Sequence, residues 1–398
     1  MGYPYGGERG DQVFQIGLDP RLRGDERKLY REGIEMAVLS EEQSMLRDAA
    51  KSWVQEKSPV TAFRKMRDSG AELGYDAAAW NEMAEMGWAG VIIPEEYGGS
   101  NFGYLSLGLV LEELGRTLTA SPLLASGLAA ASALVLGGTD TQKSEWLPKI
   151  AEGAVVGALA IDEGAHHAPD KVAATVKGGK LTGRKTFVLE GMAAGLLIVS
   201  AKDGDGQVGL YLVRADDAGV KRTRLRLADS RGAANIEFNG AAAEPLTGGP
   251  DLVEKVLDRA RAGIAAEMLG SALQAFETTL DYLKVRVQFG QVIGSFQALQ
   301  HRAAKMFTDL ELSRSAVEAA LAAIDADSPD TPELVSLAKA KMGDTFHLVS
   351  NEMVQMHGGI GMTDAHDAGF YLKRARAAEA AFGNQAYHRD RYARLQGY

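Results

Sequence analysis

Three stretches of this 398-residue chain combine residue types and spacings that suit chemistry. In "RVQFGQVIGSFQALQ", Arg286 is followed by Phe289, a Phe-Gly corner, and then Gln297 and Gln300. In "QMHGGIGMT", Gln355 closes a helical run and Gly358 and Gly359 open its end. Glycines there let a ligand lie against bare backbone amides, and a nearby arginine suits a diphosphate. Each piece alone has a plainer reading, since a glycine pair after a helix is usually a C-cap and a helix-end arginine usually faces water. The third stretch, "RAAEAAFGNQAYHR", sits at a turn before the last helical run and puts Phe382 at its centre. His166-His167 lacks a third ligand at useful spacing, so a solvated loop is expected there rather than a metal.

These residues need elements to position them, and hydrophobic period supplies a draft. From Leu39 to about Gly137 the pattern is helical, with one break at "GWAGVIIPEEYGGSNFG". From about Gly157 to Leu246 the period becomes two. The segments "VGALAID", "VAATVK", "LTGRKTFVL", "GLLIVSA", "VGLYLVR" and "ANIEFNG" read as strands, and Gly178-Gly179 as a hairpin turn. From Pro250 onward the helical period returns, with runs near 251–284, 294–325, 332–357 and 366–396. The expected fold class is α+β. It comprises an all-α domain (36–150), a small β-barrel or sandwich (151–248) and a C-terminal four-helix bundle (249–398). Residues 1–35, crowded with Gly, Arg and Asp, show no sustained apolar period and read as a flexible extension. The "LDPRLRGDE" within them resembles translated non-coding repeat sequence, and the alternative is an arm that packs on a neighbouring subunit. At Met36 the text changes, and Ser40 with Gln43 offers a capping box.

Composition excludes several classes. A net charge of −10 argues against a nucleic-acid surface. The longest apolar run, "LASGLAAASALVLGG", is too short and too rich in Gly and Ser to span a bilayer. The absence of cysteine removes thiolate nucleophiles, disulfides and Cys-ligated metals. With no secretory signal pattern at the start, a soluble cytoplasmic protein is expected.

Taken together and in order, "MGWAGVIIPEEYGGSNFGYLSLGLVLEELGR", "RVQFGQVIGSFQALQ" and "QMHGGIGMT" resemble the acyl-CoA dehydrogenase family, over nearly the whole chain from Met36. The resemblance implies FAD as cofactor, an acyl-CoA substrate, an electron-transfer flavoprotein or similar acceptor, and a homo- or hetero-oligomer, dimer or tetramer. It also implies that Arg286, Phe289, Gln297, Gln355, Gly358 and Gly359 grip the adenosine diphosphate half of a flavin held mainly by a neighbouring subunit. The flavin-wrapping half departs from the family pattern. Where the family has a Thr-Glu-Pro-Gly-Ala-Gly-Ser-Asp type segment, this chain reads "AIDEGAHHAPD", keeping Glu163, Gly164 and Asp170 but no hydroxyl. The next flavin-contacting strand reads "FVLEG", in which Phe187 can stack and Leu189 offers no hydroxyl.

Both family positions for the catalytic glutamate are altered. One is Phe382 and the other Ala260, and neither side chain takes a proton. Loss of a positioned base typically costs ~10²–10⁴ in rate. Arg261 matches the arginine that follows the second position and is expected near substrate. Glu379, Glu267 and Glu254 are the candidates for a relocated base. The pattern resembles a base-lacking subunit of heteromeric acyl-CoA dehydrogenases of bacterial steroid and bulky-acyl degradation. The alternatives are a self-sufficient enzyme with a relocated base, a flavin-dependent monooxygenase on the same fold, and a non-enzymatic acyl-CoA-binding or scaffold protein. Because residues 1–35 offer no apolar face, a chain beginning at Met36 should keep its melting temperature. A drop of several degrees on truncation would show that the segment packs.

Overall fold

The computed structural model describes residues 39–398, so the segment 1–35 and the expected start at Met36 lie outside the described residues. Helix α1 (Glu41–Lys57) turns Ala50, Trp53 and Val54 inward, and Trp53 meets Trp88 edge-on at 5.4 Å. Next come α2 (Val60–Ser69), ended by Gly70 at φ 66°, and α3 (Ala77–Glu85), whose first amides bond the Asp76 carboxylate. The break at Pro94 and Gly98-Gly99 is two short 3-10 turns, Trp88–Gly90 and Glu95–Tyr97. Helix α4 (Tyr104–Arg116) is capped from far along the chain. The Asp325 carboxylate accepts from the Tyr104 and Leu105 amides at 2.6 and 2.9 Å. The apolar run at 123–137 is a buried π-helical turn (Leu123–Ala130) continuing into α5 (Ala131–Gly137). Helix α6 (Asp140–Ala151) opens on a Thr139/Gln142 capping box. Among the described residues no helix is long and apolar enough to cross a membrane.

The middle segment forms one eight-stranded sheet: β1 (Gly157–Ala160), β2 (Thr175–Lys177), β3 (Lys180–Leu189), β4 (Leu196–Lys202), β5 (Val208–Arg214), β6 (Val220–Arg226), β7 (Gly232–Ala242) and β8 (Glu244–Pro245). Spatial order is β6-β7-β3-β2-β4-β5-β8, with β1 alongside β4. The sheet curls enough that Phe238 of β7 and Tyr211 of β5 join one apolar core. Gly178 and Gly179, at φ 54° and 72°, make the tight β2–β3 turn, and Lys177 pairs with Lys180. Strand β6, "VKRTRLR", was not among the strands expected from alternation. Its basic residues guard a sheet edge, where charge discourages further pairing.

Helix α7 (Gly249–Val285) leads the last block, and every residue from Val256 to Leu273 is buried. It packs against α4, α8 (Gln297–Asp325) and α9 (Thr331–His357). Between α7 and α8 lies a tight β9 (Val287–Gln288) and β10 (Gln291–Val292) hairpin. The expected single run at 366–396 is two helices, α10 (Ala368–Ala380) and α11 (Gln385–Leu395). Phe382 at φ 55° and Gly383 at φ 103° turn the chain between them. The α4–α7 crossing is set by two glycines. A Cβ on Gly270 would collide with the Glu112 carbonyl oxygen, and one on Gly115 with that of Glu267. Gly270→Ala should therefore destabilise the fold by about 1–3 kcal/mol, the usual range for overpacking. Gly359→Ala, with nothing within 4 Å of the added carbon, should leave the melting temperature within about a degree of wild type.

Candidate active site

A cavity of about 330 Å³ lies where the sheet meets the end of α10. One wall is the segment after β1, from Ile161 and Asp162 to His167. A second is the end of β3, with Thr186, Phe187 and Leu189. The third is the last turns of α10, from Arg376 through Ala377, Ala380 and Ala381 to Phe382. Most of this lining is apolar.

The turn that carries Phe382 is gripped from beneath. Lys339 of α9, 1% exposed, donates to the carbonyls of Glu379 and Gly383 at 3.0 and 2.8 Å. His388 Nε2 donates to the Phe382 carbonyl at 3.0 Å, and Arg261 Nε reaches it at 3.4 Å. A cation at a helix C-terminus satisfies carbonyls that have no partner in the helix. Burial, followed by the nearby Arg261 charge, lowers Lys339 to about 7 and His388 to about 2. The latter therefore grips the turn as a neutral ring. The Phe382 N–H has no acceptor among the described residues.

Ala260 is fully buried on α7 and does not line the cavity. Arg261 beside it is also fully buried. Its guanidinium bonds Asp258 (2.9 Å), Glu254 (3.0 Å), Tyr387 Oη (3.1 Å) and His167 Nε2 (3.2 Å), which leaves it a structural clasp here. None of Glu254, Glu267 and Glu379 lines the cavity. Glu254 pairs with Arg261 and Arg391, at 3.0 and 3.1 Å. Glu379 accepts from Gln385 Nε2 at 3.3 Å and lies 3.1 Å from His347 Nδ1. Glu267 joins Arg374 (2.8 Å) and Arg231 (3.0 Å) in a buried cluster completed by Asp229 and Glu190.

Sequence reasoning missed Asp162, the one carboxylate on the cavity wall among the described residues. It accepts from His167 Nδ1 at 3.0 Å and from the Ala168 amide at 3.1 Å. Because His167 Nε2 accepts from Arg261, its proton sits on Nδ1. Position alone marks Asp162, and nothing in its type distinguished it from Glu163. Glu163 turns inward instead, accepting from the Ala173 and Ala174 amides and pairing with buried Lys185 at 2.8 Å. That ties the wall segment to β3.

The six residues expected at a diphosphate lie elsewhere, all of them exposed. Arg286 follows α7, Gly358-Gly359 follow α9, and Tyr282 stacking on His357 at 4.3 Å holds the two helix ends together. Gln355 belongs to the last turn of α9 and Gln297 opens α8. Phe289, 90% exposed, crowns the β9–β10 hairpin. Arg286 has no side-chain partner among the described residues, and Gly358 and Gly359 leave open space above their backbone. An exposed guanidinium beside bare backbone amides is chemistry that suits a diphosphate.

Two family models match the chain: the acyl-CoA dehydrogenase N-terminal domain over residues 40–154 and the acyl-CoA dehydrogenase C-terminal domain over 247–396. A curated relative, acyl-CoA dehydrogenase IpdE2 of Mycolicibacterium smegmatis, is 32% identical over 87% of this chain and 96% of its own length. The chain belongs to the acyl-CoA dehydrogenase family. Among solved structures, a steroid acyl-CoA dehydrogenase variant, Tcur3481-Tcur3483, superposes with a TM-score of 0.84 at 29% identity, covering 90% of this chain and 98% of the other. The ChsE4-ChsE5 complex from Mycobacterium tuberculosis superposes at 0.83 with 27% identity, covering 90% and 98%.

FAD is the cofactor of this fold family, and the two halves of the molecule differ in their fit to it. The surface at Arg286 and Gly358-Gly359 suits the diphosphate. The cavity is a poorer match for the flavin ring, because its walls bring a carboxylate, Asp162, and an apolar Leu189 where hydroxyl donors are expected.

The buried cluster beside the cavity holds two arginines, Arg231 and Arg374, and three acids, Glu190, Asp229 and Glu267. Burial pushes Glu190 up to about 8, against the pull of both arginines. A neutral Glu190 leaves the charges balanced. Between about pH 4.5 and 8 the unfolded chain ionises this group while the folded chain keeps it protonated, so its contribution to stability is lost as pH rises through that window. In Glu190→Gln that loss should vanish. Denaturant titrations across the window should show wild type falling relative to the variant by up to about 1.4 kcal/mol per pH unit.

Proposed function

We propose that this chain is the base-lacking subunit of a heteromeric acyl-CoA dehydrogenase, and that the assembly carries out FAD-dependent α,β-dehydrogenation of an acyl-CoA. The observation that carries this reading is the fate of the carboxylates. Phe382 and Ala260 occupy the family's two base positions, and Glu254, Glu267 and Glu379 are all held away from the cavity by other side chains. In this reading Arg286 and the bare amides at Gly358-Gly359 grip the diphosphate of a FAD held by a partner subunit, with Phe289, Gln297 and Gln355 beside them. When bound, the flavin supplies the hydride acceptor for the assembly, whose electrons pass to an electron-transfer flavoprotein or similar carrier. At the position of the turn this chain offers a polarising group, the Phe382 N–H, which needs no side chain to meet a thioester oxygen. The structural likeness to the steroid acyl-CoA dehydrogenase Tcur3481-Tcur3483 and to the ChsE4-ChsE5 complex supports the same class of assembly.

Asp162 favours one competing reading, a self-sufficient enzyme whose base lies on the β-sheet wall. Two measurements separate them. Purified alone, the chain should hold little flavin by absorbance and bleach it slowly or not at all with acyl-CoA. Co-expressed with a glutamate-bearing relative, it should form a stable complex that turns over, and Arg286→Gln should strip flavin from that complex while leaving its fold intact, since glutamine replaces neither charge nor fork. Full flavin occupancy and brisk turnover by the lone chain, abolished by Asp162→Asn or by glutamine at Glu254, Glu267 or Glu379, would overturn the subunit reading.

A further inference from the structure

A second cleft, also about 330 Å³, opens between the end of α2 and the β6–β7 connection, meeting the first cavity only at Leu227. Its walls carry four arginines, Arg67, Arg224, Arg226 and Arg231, and no carboxylate among the described residues. Such a concentration runs against the chain's overall charge of −10. Arg67 is neutralised by Asp364 and Asp68, and Arg224 donates to the Ala71 carbonyl at 2.7 Å. The other two keep unused capacity. Arg226 is exposed and has no side-chain partner among the described residues. Arg231 is only 8% exposed, and although one of its nitrogens bonds Glu267 and Leu118, its Nε has no partner among the described residues. An unpaired buried N–H costs stability, and four guanidinium groups lining one cleft make it a place where an acceptor anion would be welcome. The Ser230 hydroxyl adds a donor on the same wall.

We propose that this cleft binds a phosphate group. Its donors come from β6 (Arg224 and Arg226), from the β6–β7 connection (Ser230 and Arg231) and from the end of α2 (Arg67), and several guanidinium groups around one cleft suit a tetrahedral dianion better than a planar carboxylate held by a single fork. Both inorganic phosphate and the ribose phosphate of coenzyme A present that chemistry. The site is separate from the surface at Arg286, and inorganic phosphate tests it without reference to the acyl-CoA reading.

The experiment is calorimetric titration of the full chain with inorganic phosphate, with coenzyme A and with 3′-dephospho-coenzyme A. The same titrations are run on the double variant Arg224→Gln/Arg226→Gln and on Arg184→Gln, which removes an exposed arginine of β3 outside the cleft. Phosphate should bind wild type and Arg184→Gln equally and the double variant at least about tenfold more weakly, as expected for lost charge-assisted bonds. If the coenzyme is the natural source, removing its 3′-phosphate should weaken binding to wild type by a similar factor and leave the double variant indifferent. If free phosphate is the source, coenzyme A and its dephospho form should bind alike. Phosphate and coenzyme A affinities that are both unchanged in the double variant, or no phosphate binding by wild type, would overturn the proposal.

Discussion

The buried ion cluster at the junction of sheet and bundle is the interaction on which the rest of the site depends. Glu267 comes from the middle of α7, Arg374 from α10, Asp229 and Arg231 from the β6–β7 connection and Glu190 from the end of β3. Breaking a buried pair by removing one partner leaves a charge uncompensated and typically costs about 3–5 kcal/mol. The relative placement of these four elements is therefore set by where the cluster's groups meet. Leu189, Ala228 and Ala377, which line the cavity, stand close in sequence to cluster members, so the same contacts fix its walls.

A second constraint acts on the turn at Phe382. A bulky residue at φ 55° is strained, by roughly 1–3 kcal/mol for such positions. The strain persists because Lys339, His388 and Arg261 hold the flanking carbonyls from below. The turn is thus kept in shape although its side chain has no acid-base chemistry. The same contrast appears across the molecule: Arg286, Gly358 and Gly359 stand exposed and unencumbered, while the cavity wall carries Leu189 and Asp162 beside Thr186. The arginine clasp at position 261 adds to this, because the guanidinium is consumed by Asp258, Glu254, Tyr387 and His167 and locks the segment after β1 against α7 and α11.

Much of this organisation was legible in the amino-acid order. Periodicity separated helices from strands, located the Gly178-Gly179 hairpin and marked the break at Pro94. Motif spacing pointed to the family, which the family models bear out, and a Phe-Gly corner and a glycine pair after a helix were readable because they depend on local backbone geometry. The residues at the two positions where the resemblance expects a base, Phe382 and Ala260, were equally readable in the sequence. Strand β6 escaped because its alternation is masked by basic residues on a sheet edge, where no buried face enforces a pattern. The split of the last helical run escaped because Phe382 carries no local signal for a positive φ.

Only the tertiary structure decided what the charged side chains do. Glu254, Glu267, Glu379 and Asp162 are alike in sequence, and the first three are tied up by Arg261 and Arg391, by Arg231 and Arg374, and by Gln385, with Arg391, Arg231 and Arg374 brought close by packing alone. Asp162 faces the cavity because Glu163, its neighbour, is drawn inward by Lys185 across the sheet. The chain order determines backbone geometry and apolar faces, which are set by neighbours a few residues away. Which carboxylate is free to meet a ligand depends on partners more than a hundred residues distant in the case of Glu267 and Arg374, and long-range pairing of that kind has no signature in local sequence.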